Sequence, residues 1–130
     1  MSANTELRLG RVGQIGILVQ DLDSAVAFYR DKLGVKHLFT APGMAFFELD
    51  GMRLMLGQAS LSEQKPPTST FLYYLVEDIQ QAFRTLVERG VAAVEEPELA
   101  HRAAGRELWL AQLKDLDGNP VVLMCERAAA

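Results

Sequence analysis

Apolar residues in this chain follow two periods in alternation, and the alternation happens twice. From position 11 to 19 the side chains change sides at every residue. Ile15, Ile17 and Val19 share one face while Gln14, Gly16 and Leu18 share the other, which predicts a strand. The period then lengthens: Leu22, Ala25, Val26, Tyr29 and Leu33 form one helical stripe. Asp21 or Asp23 is positioned to cap the first turn of that helix, and Gly34, free to take a positive φ, ends it. Strands are expected at 35–40, 44–49 and 52–57. The last two join at Asp50-Gly51, a dipeptide suited to a type I′ hairpin because both central positions need φ > 0.

The same order then repeats. Setting Val19 on Val76, a shift of 57, also sets Asp21 on Asp78, Leu22 on Ile79, Ala25 on Ala82 and Val26 on Phe83. Residues 59–68, with Pro66-Pro67, read as the linker between the copies. In the second copy 69–76 is a strand and Asp78 caps a helix with the stripe Ile79, Ala82, Phe83, Leu86 and Val87, stopped by Gly90. A short strand is expected at 91–94, a loop at 95–105, and a hairpin of 107–114 with 120–126 around Asp117-Gly118-Asn119. An internal duplication of this kind fixes the architecture before any single residue is interpreted. The expectation is one α+β domain over 9–127, made of units 11–58 and 69–126. Each is a βαβββ repeat, and together they form a curved mixed-sheet cup.

Composition narrows the function classes. The chain has 130 residues, enough for one domain with a real core and too few for two independent ones. A net charge of −4 argues against nucleic acid, which calls for clustered Lys and Arg. No apolar run approaches the ~18 residues of a membrane span. The first residues lack the charged-then-apolar order of a signal peptide. Cys125 is the single cysteine, so no internal disulfide is possible and a cytoplasmic location is expected. Residues 1–7 and 127–130 read as frayed tails.

Two stretches carry a family resemblance. Val19 to Gly34, with Asp21-Leu22, Ala25, Phe28-Tyr29 and Leu33-Gly34, is similar to the "DL…A..FY...LG" helix of the vicinal-oxygen-chelate superfamily. That superfamily includes glyoxalase I, extradiol dioxygenases and the bleomycin- and fosfomycin-resistance proteins. Asp115-Leu116-Asp117-Gly118-Asn119 resembles its "DPDGN" turn, with Leu116 where proline is usual. The resemblance spans about 11–127 and implies a glyoxalase/bleomycin-resistance-like fold. Enzymes of the family hold a divalent metal with His and Glu from four strands. Matching the motifs puts those four positions at Gln14, Met55 (or, one residue to either side, Leu54 or Leu56), Phe71 and Val122. A thioether, a phenyl ring and an isopropyl group cannot complete a shell for a hard or borderline cation, so no metal and no cofactor is expected.

What remains is an apolar cup. Strand phase turns Leu18, Arg53, Tyr73, Leu75, Pro120 and Met124 inward with those four positions, and places Phe46 across from Met55 and Glu48 across from Arg53. Pairing Leu113 with Val122 brings Trp109 onto the same wall. The expected ligand-binding set is Gln14, Phe46, Arg53, Met55, Phe71, Tyr73, Trp109, Val122 and Met124, a lining suited to a small apolar or aromatic molecule. Filling of the cup as plain core is the alternative. Arg53 reads either as an anion anchor or as the cross-strand partner of Glu48. His37 and His101 fall on no ligand position and read as solvated or edge residues, His101 alternatively as a mobile acid or base over the pocket. Cys125 reads as a packed core thiol. No Ser/His/Asp arrangement or Gly-rich phosphate loop is legible, so catalytic residues stay unassigned. The function expected is a metal-free small-molecule-binding protein, with a metal-dependent lyase, isomerase or dioxygenase of the same superfamily as the alternative. A homodimer is expected, with no nucleic acid or membrane partner.

Overall fold

Each repeat folds into its own four-stranded sheet. In the computed structural model, which describes residues 6–59 and 70–129, β1 (Gln14–Val19), β2 (Lys36–Ala41), β3 (Met44–Leu49) and β4 (Met52–Gln58) make one sheet in the order β1-β4-β3-β2. β5 (Leu72–Leu75), β6 (Ala92–Ala103), β7 (Arg106–Lys114) and β8 (Pro120–Ala128) make the other in the order β5-β8-β7-β6. β1 runs parallel to β4 and β5 parallel to β8, while all other pairs are antiparallel. Identical topology in both sheets is the structural form of the duplication, and the fold is the α+β arrangement the pattern predicts. The proposed linker lies outside the described residues from position 60 onward, as does Ser69. Among the described residues no helix is long and apolar enough to cross a membrane.

The helices follow their stripes. α1 (Leu22–Ala27) is capped by Asp21, whose carboxylate accepts from the Ser24 amide. It continues as a π-type turn over Phe28–Lys32, where the Leu33 amide reaches the Phe28 carbonyl at 3.1 Å. α2 (Ile79–Glu88) is capped by Asp78 in the same way. It ends in a Schellman motif: Val91 N–H bonds to the Leu86 carbonyl and Gly90 N–H to that of Val87, with Gly90 at φ 90. Leu22, Ala25, Val26, Phe28 and Tyr29 are buried, as are Ile79 and Leu86. They pack with Val19, Phe47, Leu54 and Leu56 of the first sheet and with Leu113, Val121, Leu123 and Cys125 of the second. Cys125 is thus the core thiol its phase suggested, and its sulfur donates to the Glu77 carbonyl at 3.4 Å. The β3–β4 turn has Asp50 at φ 52 and Gly51 at φ 95, the signs a type I′ hairpin requires.

One expected loop is a strand. Residues 95–105 continue β6 to Ala103, paired with β7 along nearly its whole length. The register shifts between Ala93 and Glu95, between Glu95 and Glu98, and between Leu99 and His101. Such bulges let an edge strand carry Pro97, and they break the two-residue period that would have revealed it.

The units are tied together by the turn between β7 and β8. Its Asp115 is buried, and its carboxylate accepts from the Asp117 amide (2.9 Å), the Asn119 amide (2.8 Å), the Asn119 side chain (2.8 Å) and the hydroxyl of Tyr29 in the other unit (2.8 Å). Gln20 N–H donates to Asp117 Oδ1 and Asn119 Nδ2 to the Leu18 carbonyl, so the turn also grips the end of β1. Burial, followed by the Asp115 charge, pushes the Tyr29 hydroxyl far above its ordinary range. The same two causes push Tyr74 up to about 12.

A raised tyrosine pKa stabilises the fold below the unfolded value, about 10. That contribution is lost as pH climbs through the folded value, here about 12 for Tyr74. We expect ionisation of Tyr29 and Tyr74, followed by tyrosinate absorbance, to coincide with loss of circular dichroism above pH 10. Tyr74→Phe should remove one equivalent from that late phase. Ionisation of both rings well before unfolding would contradict the packing described.

Candidate functional site

Each sheet has one face against the helices and one open face, and strand phase decides which residue goes where. On the first sheet Gln14 pairs with Arg53 and Gly16 with Met55 across β1–β4, while Phe46 faces Met55 and Glu48 faces Arg53 across β3–β4. Gln14, Phe46, Arg53 and Met55 therefore share the open face, as their phase predicts. Gln14 Nε2 lies 3.9 Å from Met55 Sδ. The Met55 methyl lies close over Gly16, 3.2 Å from where a Cβ would stand, so the missing side chain leaves the dip that it fills.

Arg53 forms no ion pair with Glu48 among the described residues. Its guanidinium sits instead over the Phe46 ring, 5.5 Å from the centroid, and Phe46 stacks on Phe39 at 4.6 Å. The cation is thus held by an aromatic face, and its side-chain N–H donors have no hydrogen-bond partner among the described residues. Phe39 is half exposed.

The open face of the second sheet is formed by Tyr73, Val122 and Gln112 in one row and Leu75, Met124 and Leu110 in the next. Tyr73 is 52% exposed and Leu75 71%, whereas Val122 between its neighbours is buried. Phe71, half exposed, precedes β5 and does not belong to it. Gln14 with Met55 and Tyr73 with Val122 are brought together within their own sheets. Among the described residues no hydrogen bond, ion pair or ring contact joins the two groups.

Trp109 does not belong to this set. Leu113 pairs with Val121 and Gln112 with Val122, one residue away from the expected register. A single slip transfers every side chain of a strand to the other face. The turn has the expected five residues, 115–119, and Lys114 meets Pro120 directly across it, which sets Leu113 on Val121. Trp109 lies instead on the helix-side face, where its indole N–H donates to Glu107 at 2.9 Å and the Arg127 guanidinium stacks 4.6 Å from its ring. Arg102 closes the cluster with a 2.7 Å ion pair to Glu107. The hydrogen bond from Trp109, then that from Arg102, holds the Glu107 carboxyl below the usual carboxylate range.

His37 lies on the helix-side face, while His101 shares the phase of the second sheet's open face at its outer strand. His37 packs on Phe47 (5.2 Å) with its Nε2 2.8 Å from Thr40 Oγ1, and His101 is exposed on β6 opposite Leu108. The four positions that the resemblance matches to the family's ligands, Gln14, Met55, Phe71 and Val122, carry an amide, a thioether, a phenyl ring and an isopropyl group. Among the described residues no three His, Cys, Asp or Glu gather into a set able to hold a metal ion. The donors present do not fit a divalent cation.

Because the Glu107 pKa is depressed, its contribution to stability is complete above the ordinary value of about 4.5 and is lost as pH falls through the folded value. Glu107→Gln should therefore lower the urea midpoint at pH 7, with the difference closing below pH 4.5 and Trp109 fluorescence reporting the change. A difference that persists unchanged into strong acid would contradict the assignment.

The model for the Glyoxalase/Bleomycin resistance protein/Dioxygenase superfamily matches residues 11–123. No curated protein matches the chain. Among solved structures the chain is similar to a glyoxalase/bleomycin resistance protein/dioxygenase superfamily member from Sphaerobacter thermophilus, at 26% identity over 92% of this chain and 99% of that one, with a TM-score of 0.70. It is similar to a glyoxalase/bleomycin resistance protein/dioxygenase from Nocardioides at 20% identity, covering 95% and 88%, with a TM-score of 0.74. A lactoylglutathione lyase from Agrobacterium tumefaciens shares the fold at 19% identity, covering 91% and 95%, with a TM-score of 0.67. With its duplicated βαβββ units and the match over nearly its whole length, this chain belongs to the glyoxalase/bleomycin resistance protein/dioxygenase superfamily.

Proposed function

We propose that the protein binds a small apolar or aromatic molecule without a metal, on the face that carries Gln14, Phe46, Arg53 and Met55 together with Tyr73, Val122 and Met124. The observation that carries this reading is an exposed aromatic surface with a guanidinium held over Phe46, beside Gln14, Met55 and Val122 at positions matched to the metal ligands of the superfamily's enzymes. Phe39, Phe46 and Tyr73 offer flat rings for stacking, and Arg53 offers a fork for a carboxylate or phenolate at the ligand's edge. Large apolar side chains exposed on both sheets, Phe39, Tyr73 and Leu75 among them, also support a homodimer that covers part of these faces.

The reading is tested by a thermal-shift screen with an aromatic library, since a ligand that binds only the folded state raises the midpoint. A hit should bind without metal, and elemental analysis should find less than stoichiometric transition metal. Arg53→Met should weaken acidic hits by about tenfold or more, the value of a charge-assisted hydrogen bond of about 1.5–3 kcal/mol, and leave neutral hits nearly unchanged. Val122→Trp should abolish binding by filling the face. One tightly held metal per chain, or equal effects of Arg53→Met on acidic and neutral ligands, would overturn it.

A further inference from the structure

The two units meet at two equivalent junctions, and their chemistry differs. The shift of 57 that sets Val19 on Val76 sets Tyr29 on Leu86. At the Tyr29 junction the five-residue β7–β8 turn carries Asp115 and Asn119 in to meet the hydroxyl. At the Leu86 junction the corresponding β3–β4 turn is only Asp50-Gly51, which has no counterpart of Asp115. The consequence is space. One hollow of about 530 Å³ lies between α2, the helix-side face of β5 and β8, and Leu33. A second of about 730 Å³ lies between β5 and the β3–β4 turn. Val35, Tyr74 and Leu75 line both. Either volume suits a small organic molecule.

The walls select the ligand. Leu33, Val35, Ala82 and Leu86 supply apolar surface. Tyr74 is half-buried, and its hydroxyl has no hydrogen-bond partner among the described residues. Glu77 and Asp78 border the first hollow and Glu48 and Asp50 the second, against one cation in each, Arg89 and Lys36. Arg89 is partly committed, with Nη1 donating to the Lys32 carbonyl at 2.8 Å. Asp115 adds its negative field at Tyr74. We propose that this open junction is a second binding site, centred on the helix side of β5 at Tyr74 and reaching the open faces only at its margin, where Tyr73, Leu75 and Glu48 line it. It would take a compact organic ammonium ion, its aryl or alkyl body on Val35, Ala82 and Leu86 and its N–H donors on the Tyr74 oxygen and the carboxylates. Charge complementarity excludes a carboxylate of the same shape.

Three probes of matched shape test this: phenylbutylamine, phenylbutanol and phenylbutyrate, titrated into the full chain and followed by amide chemical shifts. The amine should move Val35, Tyr74 and Thr85 and bind at least about tenfold more tightly than phenylbutyrate, with the alcohol between them. Glu77→Gln should weaken the amine and leave the alcohol unchanged. Thr85→Trp, which fills the first hollow from α2, should abolish binding of the amine, while Val122→Trp on the open face should not. Should Thr85→Trp fail to fold, the order of the probes and the effect of Glu77→Gln decide. No shifts at those three residues, equal affinity for amine and butyrate, or a folded Thr85→Trp that binds normally would each overturn the proposal.

Discussion

One buried carboxylate holds the two halves of this protein in register. Asp115 is 5% exposed and, among the described residues, no cation bonds to it. An ionised carboxylate taken out of water without compensation is costly, so its oxygens must be filled by hydrogen bonds. Four donors do so, three from its own turn and one from Tyr29 across the junction. The turn curls as it does because both its amides and the Asn119 side chain are aimed at one acceptor, with Gly118 at φ 84 where the chain reverses. The two stretches that carry the family resemblance, the Phe28-Tyr29 helix and the Asp115 turn, are thus two sides of one contact. A motif that reads as punctuation in sequence is an interface in space.

The legible parts of the fold are those set by short-range rules. Strand and helix phase, the caps at Asp21 and Asp78 and the Asp50-Gly51 hairpin follow from local chemistry, and the repeat supplied the topology. Cross-strand partners of β3 and β4 were readable because a two-residue turn permits one register. The β7–β8 register was misplaced by one although the strand ends at Lys114 and Pro120 were read correctly, because a five-residue turn, unlike a two-residue one, does not dictate a single pairing. From that single slip came the misplacement of Trp109, whose actual partners, Glu107 and Arg127, lie on its own sheet and could have been suspected from their shared phase. β6 was hidden for a different reason: bulges and double-sided exposure on an edge strand leave no clean period.

The site divides in the same way. Gln14, Phe46, Arg53 and Met55 fall together because β1, β3 and β4 have regular register. The partnership of Arg53 did not follow from pairing. Cross-strand position offers it Glu48, yet the guanidinium lies over Phe46, where an aromatic face holds a cation without neutralising it. The result is a largely apolar surface on which the Arg53 and Glu48 charges are not paired with each other, and among the described residues no His, Cys, Asp or Glu cluster able to hold a metal ion is present. The asymmetry between the junctions has the same origin as the fold itself. Duplication produced two equivalent seams, and a longer turn closed one of them.

The central claim, that Tyr29 and Asp115 lock the units together, is tested most directly by a double-mutant cycle with Tyr29→Phe and Asp115→Asn, read by urea denaturation. The account predicts a coupling between the two positions of about 1–3 kcal/mol, with the double variant less destabilised than the sum of the single ones. Additive effects of the two substitutions would contradict it.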